Sequence, residues 1–268
     1  ASGNVANANG PNVGGGTGNN AGGSSDPDLL TIAKGAQIFD AGGIQFDFKP
    51  TIPLVQFNYV FGSDEYEEYS CSSFNDVFGF FINGAGIGFN KNIALIPGTS
   101  IPVKINTVNQ GTPGSNGNAA NCSPPLGSLA YSGFFVSNPL GSPDVEYDGF
   151  TTVFTAEQAV IPCSTYHIKL AVGDAGDAIF DSGVFLQAGS LQSNHVDLSI
   201  QTDSLNAGVP MVFEACDSAV VKIRRHLVQT SVTTDTVQLL ISGTSTNGVD
   251  YPLINTTYIF SNSRSEER

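Results

Sequence analysis

The sequence predicts an all-β protein, with a β-sandwich or jelly-roll domain followed by a second, smaller β-sandwich. Short apolar segments alternate with polar residues, as in half-buried strands, and Gly/Pro-rich turns separate them. The chain contains 31 Gly, 10% aromatic residues and 13% charged residues. This composition favours strands and turns over helices. No segment has a convincing helical pattern, so we expect no helix.

The first domain is predicted to cover residues 1–192. Residues 1–25 are Gly/Asn-rich, a composition typical of disorder. Such a segment becomes ordered where it wraps over a β scaffold that satisfies its backbone groups. Ile38, Ile44, Phe46 and Phe48 then alternate with polar or small residues, and strands are predicted at 54–61, 76–82, 92–96, 102–105, 149–155, 166–172 and 182–191. Residues 109–145 form one long loop excursion, and long loops in compact domains are often functional.

Two predicted strands have a clear apolar face. Alternation places Val55, Phe57, Tyr59 and Phe61 on one side of the first, and Tyr166, Ile168, Leu170 and Val172 on the inner side of the other. A turn-rich break near 190–196 marks the domain boundary. After it, strands are predicted at 196–200, 219–223, 237–241 and 257–260, within a second domain of residues 193–268.

The charge balance excludes two classes of partner. Acidic residues outnumber basic ones 24 to 10, which gives a net charge of −14 and a pI near 4.3. Nucleic acids and anionic membrane surfaces bind clustered Lys and Arg, so neither is expected. No apolar stretch is long enough for a transmembrane helix, and no direct membrane insertion is expected. The chain starts at Ala1 without a signal peptide, which indicates a processed or excised piece of a longer protein.

Four cysteines bear on the redox environment. Cys71, Cys122, Cys163 and Cys216 allow three pairings, and the sequence does not choose among them. They are either buried free thiols or disulfides formed in an oxidising compartment. The polar, turn-rich surroundings of Cys71, Cys122 and Cys163 make these three the disulfide candidates, and the distant Cys216 is the expected odd one.

Two acidic turns, at residues 61–76 and 173–183, carry the main functional signal. Carboxylates this close repel one another unless water screens them or a hard cation lies among them. Calcium binds six to eight oxygens in loops of loose geometry, and the neighbouring glycines let backbone carbonyls contribute. We expect both turns to close on a single site at one end of the sandwich. The predicted metal ligands are Asp64, Glu65, Glu67, Asp76, Asp174, Asp177 and Asp181.

Motifs of common enzyme classes do not occur in the sequence. There is no Gly-x-Ser-x-Gly, His-Glu-x-x-His or Gly-Lys-Ser/Thr motif, and the glycines at 84–88 read as a hairpin tip. We therefore expect no enzyme. One alternative is a carbohydrate-binding module that stacks Tyr131, Phe134 and Phe135 on sugar. Another is a glycosidase that uses a carboxylate pair. The lack of Trp weakens both.

Several segments resemble the choice-of-anchor L domain family of bacterial cell-surface proteins. The strongest are FNYVFGSDEY at 57–66, FNDVFGFF at 74–81 and DAGD at 174–177, with further matches at 92–99, 147–153, 166–171 and 181–186. The resemblance covers about residues 1–191 and includes the Gly/Asn segment at 2–12. It implies that the first strands of the family's domain are missing from this chain. The family's motif acids map here onto Asp64, Glu65, Asp76, Asp148, Asp174, Asp177 and Asp181.

The resemblance also implies where the protein works and with what. It implies export and attachment to the cell surface within a large multidomain protein, and the cysteine contexts resemble the Bacteroidota branch, which uses type IX secretion. Residues 193–268 resemble a Calx-β-like or Ig-like sandwich, incomplete here, through ISGTSTNGVDYP at 241–252. We expect a non-catalytic adhesin or surface-fibre segment with bound calcium. Its expected partners are other domains or copies of a surface assembly, a glycan, or a host or neighbouring cell surface.

Overall fold

A computed structural model gives the structure of the chain. It describes residues 1–14 and 22–190, and then 196–202, 204–206, 209–211, 219–225, 235–241, 244, 246–260 and 266–267. The chain forms two compact units, residues 1–191 and 192–268. Cys216 lies outside the described residues.

The first unit is built mainly from strands. Its one α-helix in the described residues is α1, Pro27–Ala33, and short 3-10 helices cover Val5–Ala8, Ala119–Cys122 and Ser132–Phe134. Its strands are β1 Ile38–Phe48, β2 Leu54–Ser63, β3 Val77–Gly84, β4 Ile87–Asn92, β5 Phe135–Ser137, β6 Gly149–Thr151, β7 Phe154–Ala159, β8 Tyr166–Ala175 and β9 Ser182–Leu186.

Two antiparallel sheets form the sandwich. One sheet has the order β1-β8-β3-β4, and the other has the order β5-β6-β2-β7. β9 also pairs with β2, from Tyr59↔Leu186 to Ser63↔Ser182. The core lies between the sheets, where the ring of Phe80 is 5.3 Å from that of Phe57 and 5.2 Å from that of Tyr59. The all-β prediction and the sandwich arrangement are confirmed.

The predicted apolar faces are also confirmed. Val55, Phe57, Tyr59 and Phe61 on β2 and Tyr166, Ile168, Leu170 and Val172 on β8 are all at most 5% exposed. The glycine-rich segment at 84–88 includes the tip of the β3–β4 hairpin, where Gly84 faces Ile87. Residues 92–96 and 102–105 differ from the prediction. Beyond Asn92, the last residue of β4, they are mostly buried but form only isolated bridges, Leu95↔Pro102 and Val77↔Lys104, because the core takes up their apolar side chains without a continuous strand pairing.

The expectation of no helix is wrong. Asp26 caps α1 by accepting hydrogen bonds from the backbone N–H groups of Asp28 and Leu29, at 2.9 and 3.2 Å. Pro27 occupies the first turn, where its missing N–H costs nothing. Leu29, Ile32 and Ala33 are buried against β1, β3 and β8 on the outer face of the first sheet. Seven residues of helix are stable here because this apolar face is buried.

The second unit has its own antiparallel pairings. Its strands are β10 Val196–Thr202, β11 Ser204–Asn206, β12 Val209–Met211, β13 Ala219–Arg225, β14 Asp235–Gln238, β15 Thr257–Phe260 and β16 Glu266–Glu267. The sheets have the orders β10-β13-β16, β11-β12 and β14-β15. Each of the four strands predicted from the sequence overlaps one of these.

Candidate functional site: a buried carboxylate cluster

The two acidic turns meet at one end of the sandwich. The first turn, residues 64–76, leaves β2 in one sheet and enters β3 in the other. The second turn, residues 176–181, leaves β8 and returns to β9 beside β2, where Ser63 pairs with Ser182. Both turns therefore cross between the sheets at the same end, as predicted. The backbone of Asp64 bonds that of Asp181, with N···O 3.2 Å.

Asp76 joins the two turns directly. Its Oδ1 accepts a hydrogen bond from the backbone N–H of Ala175 at 2.9 Å. Its Oδ2 accepts one from the hydroxyl of Ser182 at 2.6 Å. The bonds tie the entry of β3 to the end of β8 and the start of β9. Burial and the charge of Glu65 raise the pKa of Asp76 by more than these two hydrogen bonds lower it. The pKa therefore lies well above its ordinary value.

Five of the predicted ligands form a buried carboxylate cluster, which consists of Asp64, Glu65, Asp76, Asp174 and Asp181. Each is at most 2% exposed. Water does not screen these side chains, so a solvated acidic turn does not describe them. In the described part of the chain, Oε2 of Glu65 and both Oδ atoms of Asp174 have no hydrogen-bond partner. A buried carboxylate without a partner is costly, and each such oxygen is open to a ligand.

Burial and mutual repulsion set the charge state of the cluster. Burial raises the pKa of Glu65 to about 9, with further increases from Asp177, Asp174 and Asp64. Burial, followed by the charge of Asp76, raises the pKa of Asp174 to about 9. The nearby Ser2 hydroxyl lowers that pKa, although it donates its hydrogen bond to the Ser182 carbonyl at 3.2 Å.

The other two predicted ligands lie outside the cluster. Glu67 is half-buried and lines a neighbouring cleft. Asp177 is half-buried, and its Oδ1 accepts a hydrogen bond from the backbone N–H of Ile179 at 3.2 Å, which caps the turn locally. Within the described ranges, no three His, Cys, Asp or Glu side chains stand close enough to be an assembled metal site.

Sequence reasoning missed the neutral groups around the cluster. Tyr147 packs its hydroxyl against Gly183, where an added Cβ would be only 2.3 Å away. Burial raises the Tyr147 pKa, and the charges of Asp181 and Asp64 raise it further. Ser2 is 5% exposed and accepts a hydrogen bond from the N–H of Ser182 at 2.9 Å. Neither residue belongs to a periodic apolar pattern in the sequence, because irregular segments place them.

A disulfide supports the first acidic turn. Cys71 in the turn bonds to Cys122 in the long excursion. Cys163, the third disulfide candidate, is an exposed free cysteine. It follows β7 on a tight turn and therefore projects into solvent.

A polar cleft of about 740 Å³ adjoins the cluster. Its walls carry the carboxylates of Glu67, Glu68 and Asp148 and the rings of Tyr69 and Phe180, whose centroids are 5.8 Å apart. Burial raises the pKa of Asp148 to about 6, although a hydrogen bond from Asn12 lowers it. Asp64 also lines the cleft, so cleft and cluster share a wall.

A family model of the choice-of-anchor L domain matches residues 1–192. The chain belongs to the choice-of-anchor L family. No curated protein and no solved structure matches it. Membership indicates a cell-surface protein. The matched residues include all five members of the carboxylate cluster.

The described helices of this choice-of-anchor L protein are too short or too polar to cross a bilayer. Tyr131, Phe134 and Phe135, the rings of the carbohydrate-binding alternative, are partly buried against the core. Phe134 packs edge-on against Phe154 at 5.2 Å, and Phe135 lies 4.8 Å from Tyr66. These three rings therefore serve mainly to hold the excursion on the sandwich.

Proposed function

We propose that this chain is a non-catalytic adhesin or surface-fibre segment whose carboxylate cluster binds calcium. The unpartnered, buried oxygens of Glu65 and Asp174 carry the calcium proposal. A hard cation favours ionised carboxylates and offsets both their repulsion and their lost hydration. The cluster joins four strand ends across the two sheets, so a bound ion stabilises the fold at its crossover end.

The donor set supports calcium over other metals. All available side-chain donors are oxygens, which suit calcium and magnesium rather than zinc. Asp174 lies at the end of β8 and the other ligands lie on two irregular turns, which suits the variable coordination of calcium better than the strict octahedron of magnesium. The side chains of Glu65 and Asp174 would rotate towards the ion from their present positions.

A thermal melt tests the calcium proposal. At a hundredfold excess over Kd, calcium is expected to stabilise the folded state by about 2.7 kcal/mol. For a unit of this size, that raises the melting temperature by about 5–10 °C relative to excess chelator. Magnesium at the same concentration is expected to give a smaller shift. Equal midpoints in calcium and in chelator would contradict the proposal.

A matched pair of variants locates the effect. Asp174→Asn removes one carboxylate from the cluster, and the calcium-dependent shift is expected to shrink to under half. Glu157→Gln removes an exposed carboxylate on β7, and the shift is expected to equal that of the wild type. If the two variants respond alike, calcium binds to general surface charge and the cluster is not the site.

Membership of a family of cell-surface proteins supports the proposed adhesive role. The proposed partners are other domains or copies of a surface assembly, a glycan, or a neighbouring cell surface. We also propose export by the type IX system and a Calx-β-like module in residues 193–268. Beads coated with the chain are expected to bind bacterial or host cells in calcium and to release them in chelator. No binding to any cell type or to the chain itself would count against adhesion.

The polar cleft favours carbohydrate binding as a second candidate. Carboxylates and exposed ring faces are common sugar-binding groups. Asp148, with its raised pKa, also matches the acid of a glycosidase pair. A glycan array followed by calorimetry with Asp148→Asn tests binding, and a polysaccharide screen tests cleavage. If no glycan binds, this candidate is excluded.

A further inference from the structure

The start of the N-terminal segment packs against the carboxylate cluster. The backbone N–H of Ser2 donates a hydrogen bond to the carbonyl oxygen of Ser182 at 2.8 Å. In return, the N–H of Ser182 donates to the Ser2 hydroxyl at 2.9 Å. Ser182 also holds Asp76 through its own hydroxyl. Ser2 is therefore linked to the cluster through a single residue, Ser182.

Gly3 makes the closer approach. A Cβ at this position would lie 1.8 Å from Oδ2 and 2.3 Å from Cγ of Asp181. Non-bonded heavy atoms pack at about 3.5–4 Å, so only glycine lets the Asp181 carboxylate occupy this place. The N-terminal segment thus forms a wall behind Asp181. Asp174, whose two oxygens have no partner among the described residues, lies close enough to Ser2 for that hydroxyl to lower its pKa.

A second anchor holds the segment further along. The Asn12 side chain is buried and donates to the carbonyl of Asn138 at 2.6 Å and to Oδ1 of Asp148 at 2.9 Å. The backbone N–H of Asn12 donates to the carbonyl of Ser142 at 2.8 Å. None of these partners belongs to the carboxylate cluster. The segment therefore has one anchor at the cluster and one independent of it.

We propose that Ser2 and Gly3 form one wall of the calcium site, so that a bound ion fixes the start of the N-terminal segment to β9. This inference rests on the calcium binding proposed above. An ion drawn in by Glu65 and Asp174 also holds the Asp181 carboxylate in place against Gly3. Without the ion, that carboxylate loses this restraint, and residues 2 and 3 are held less firmly.

Calorimetric titration of the full chain with calcium tests whether Ser2 and Gly3 form a wall of the calcium site. Gly3→Ala displaces Asp181 without removing a charge, and calcium affinity is expected to fall at least tenfold. Gly133→Ala is the matched control, because a Cβ there meets nothing within 4 Å, and its affinity is expected to equal that of the wild type. Should Gly3→Ala fail to fold, Ser2→Ala replaces it, with a smaller loss of several-fold expected.

Amide hydrogen exchange measured by NMR tests whether bound calcium fixes the start of the N-terminal segment to β9. Calcium is expected to slow exchange of the Ser2 amide at least tenfold relative to chelator and to leave the Asn12 amide unchanged. If calcium binds with wild-type affinity to the Gly3 or Ser2 variant and leaves Ser2 exchange unchanged, the inference is wrong while calcium binding stands. If the wild type binds no calcium, the proposed function itself fails.

Discussion

Asn106 holds the first acidic turn in place from the neighbouring loop. Its Oδ1 accepts a hydrogen bond from the N–H of Cys71 at 2.7 Å, and its Nδ2 donates to the carbonyl of Ser72 at 2.9 Å. Asn106→Ala leaves two buried backbone groups without these partners and is expected to lower the free energy of unfolding by about 3 kcal/mol. Urea denaturation measures the loss. Asn116→Ala, at an exposed position of the same excursion, is expected to change stability by less than about 0.5 kcal/mol.

The buried side chain of Lys104 is expected to make the stability of the fold depend on pH, separately from the carboxylates. It is 2% exposed, and its ammonium donates to the Leu126 carbonyl at 3.0 Å. Burial, with the charge of Lys34, lowers its pKa to about 8. The unfolded chain then binds more protons than the folded one between pH 8 and the ordinary lysine value of 10.5. Stability from this group therefore rises with pH across that window.

Comparison with Lys104→Met isolates this contribution. From pH 8 to pH 10.5, the stability of the wild type is expected to rise relative to the variant by at most about 3 kcal/mol. Chemical denaturation at several pH values measures the difference, in which other titrating groups cancel. A constant difference across the window would show that the folded lysine keeps its ordinary pKa.

The disulfide acts at the level of the elements, because it ties the first acidic turn to the long excursion. Its cysteines are 51 residues apart, and the chain-entropy model gives about 4 kcal/mol for closing a loop of that length. Cys71→Ser combined with Cys122→Ser is expected to lower unfolding stability by about 2–4 kcal/mol. Cys163→Ser is the control and is expected to have no effect, because that thiol is exposed and free. Equal stability of all three proteins would contradict a structural role for the bridge.

The elements differ in how far the sequence predicts them. β2 and β8 were predicted with their inner faces because one buried face imposes strict alternation. α1 was missed because its apolar pattern is only two turns long, although Asp26 and Pro27 give a readable start signal. Residues 92–96 look like a strand because they are apolar, but burial alone does not decide whether a strand partner is present.

Only part of the carboxylate cluster could be predicted, because the sequence does not show which partners each side chain meets. Acids at the ends of several strands are visible in the sequence, and so is their convergence at one end of the sandwich. The sequence does not show that Asp76 already holds Ala175 and Ser182, or that Glu67 faces a cleft instead. Those outcomes depend on hydrogen bonds between segments far apart in the chain. The contact of Gly3 with Asp181 has the same origin.

At the scale of the whole molecule, each of the two units is compact by itself, so the chain is expected to unfold in two transitions. The proposed calcium site lies wholly in residues 1–191, and an ion that binds only the folded form stabilises only the unit that holds it. Calcium is therefore expected to raise one calorimetric transition by about 5–10 °C and to leave the other unchanged.

Calorimetry of the full chain in calcium and in chelator measures both transitions. Asp174→Asn identifies the transition of the first unit, because this variant is expected to lose most of the calcium-dependent shift there. An equal calcium shift in both transitions would place a second calcium site in residues 192–268. A single cooperative transition that moves as a whole would show that the two units unfold as one, because stabilisation of one unit would then stabilise the entire chain.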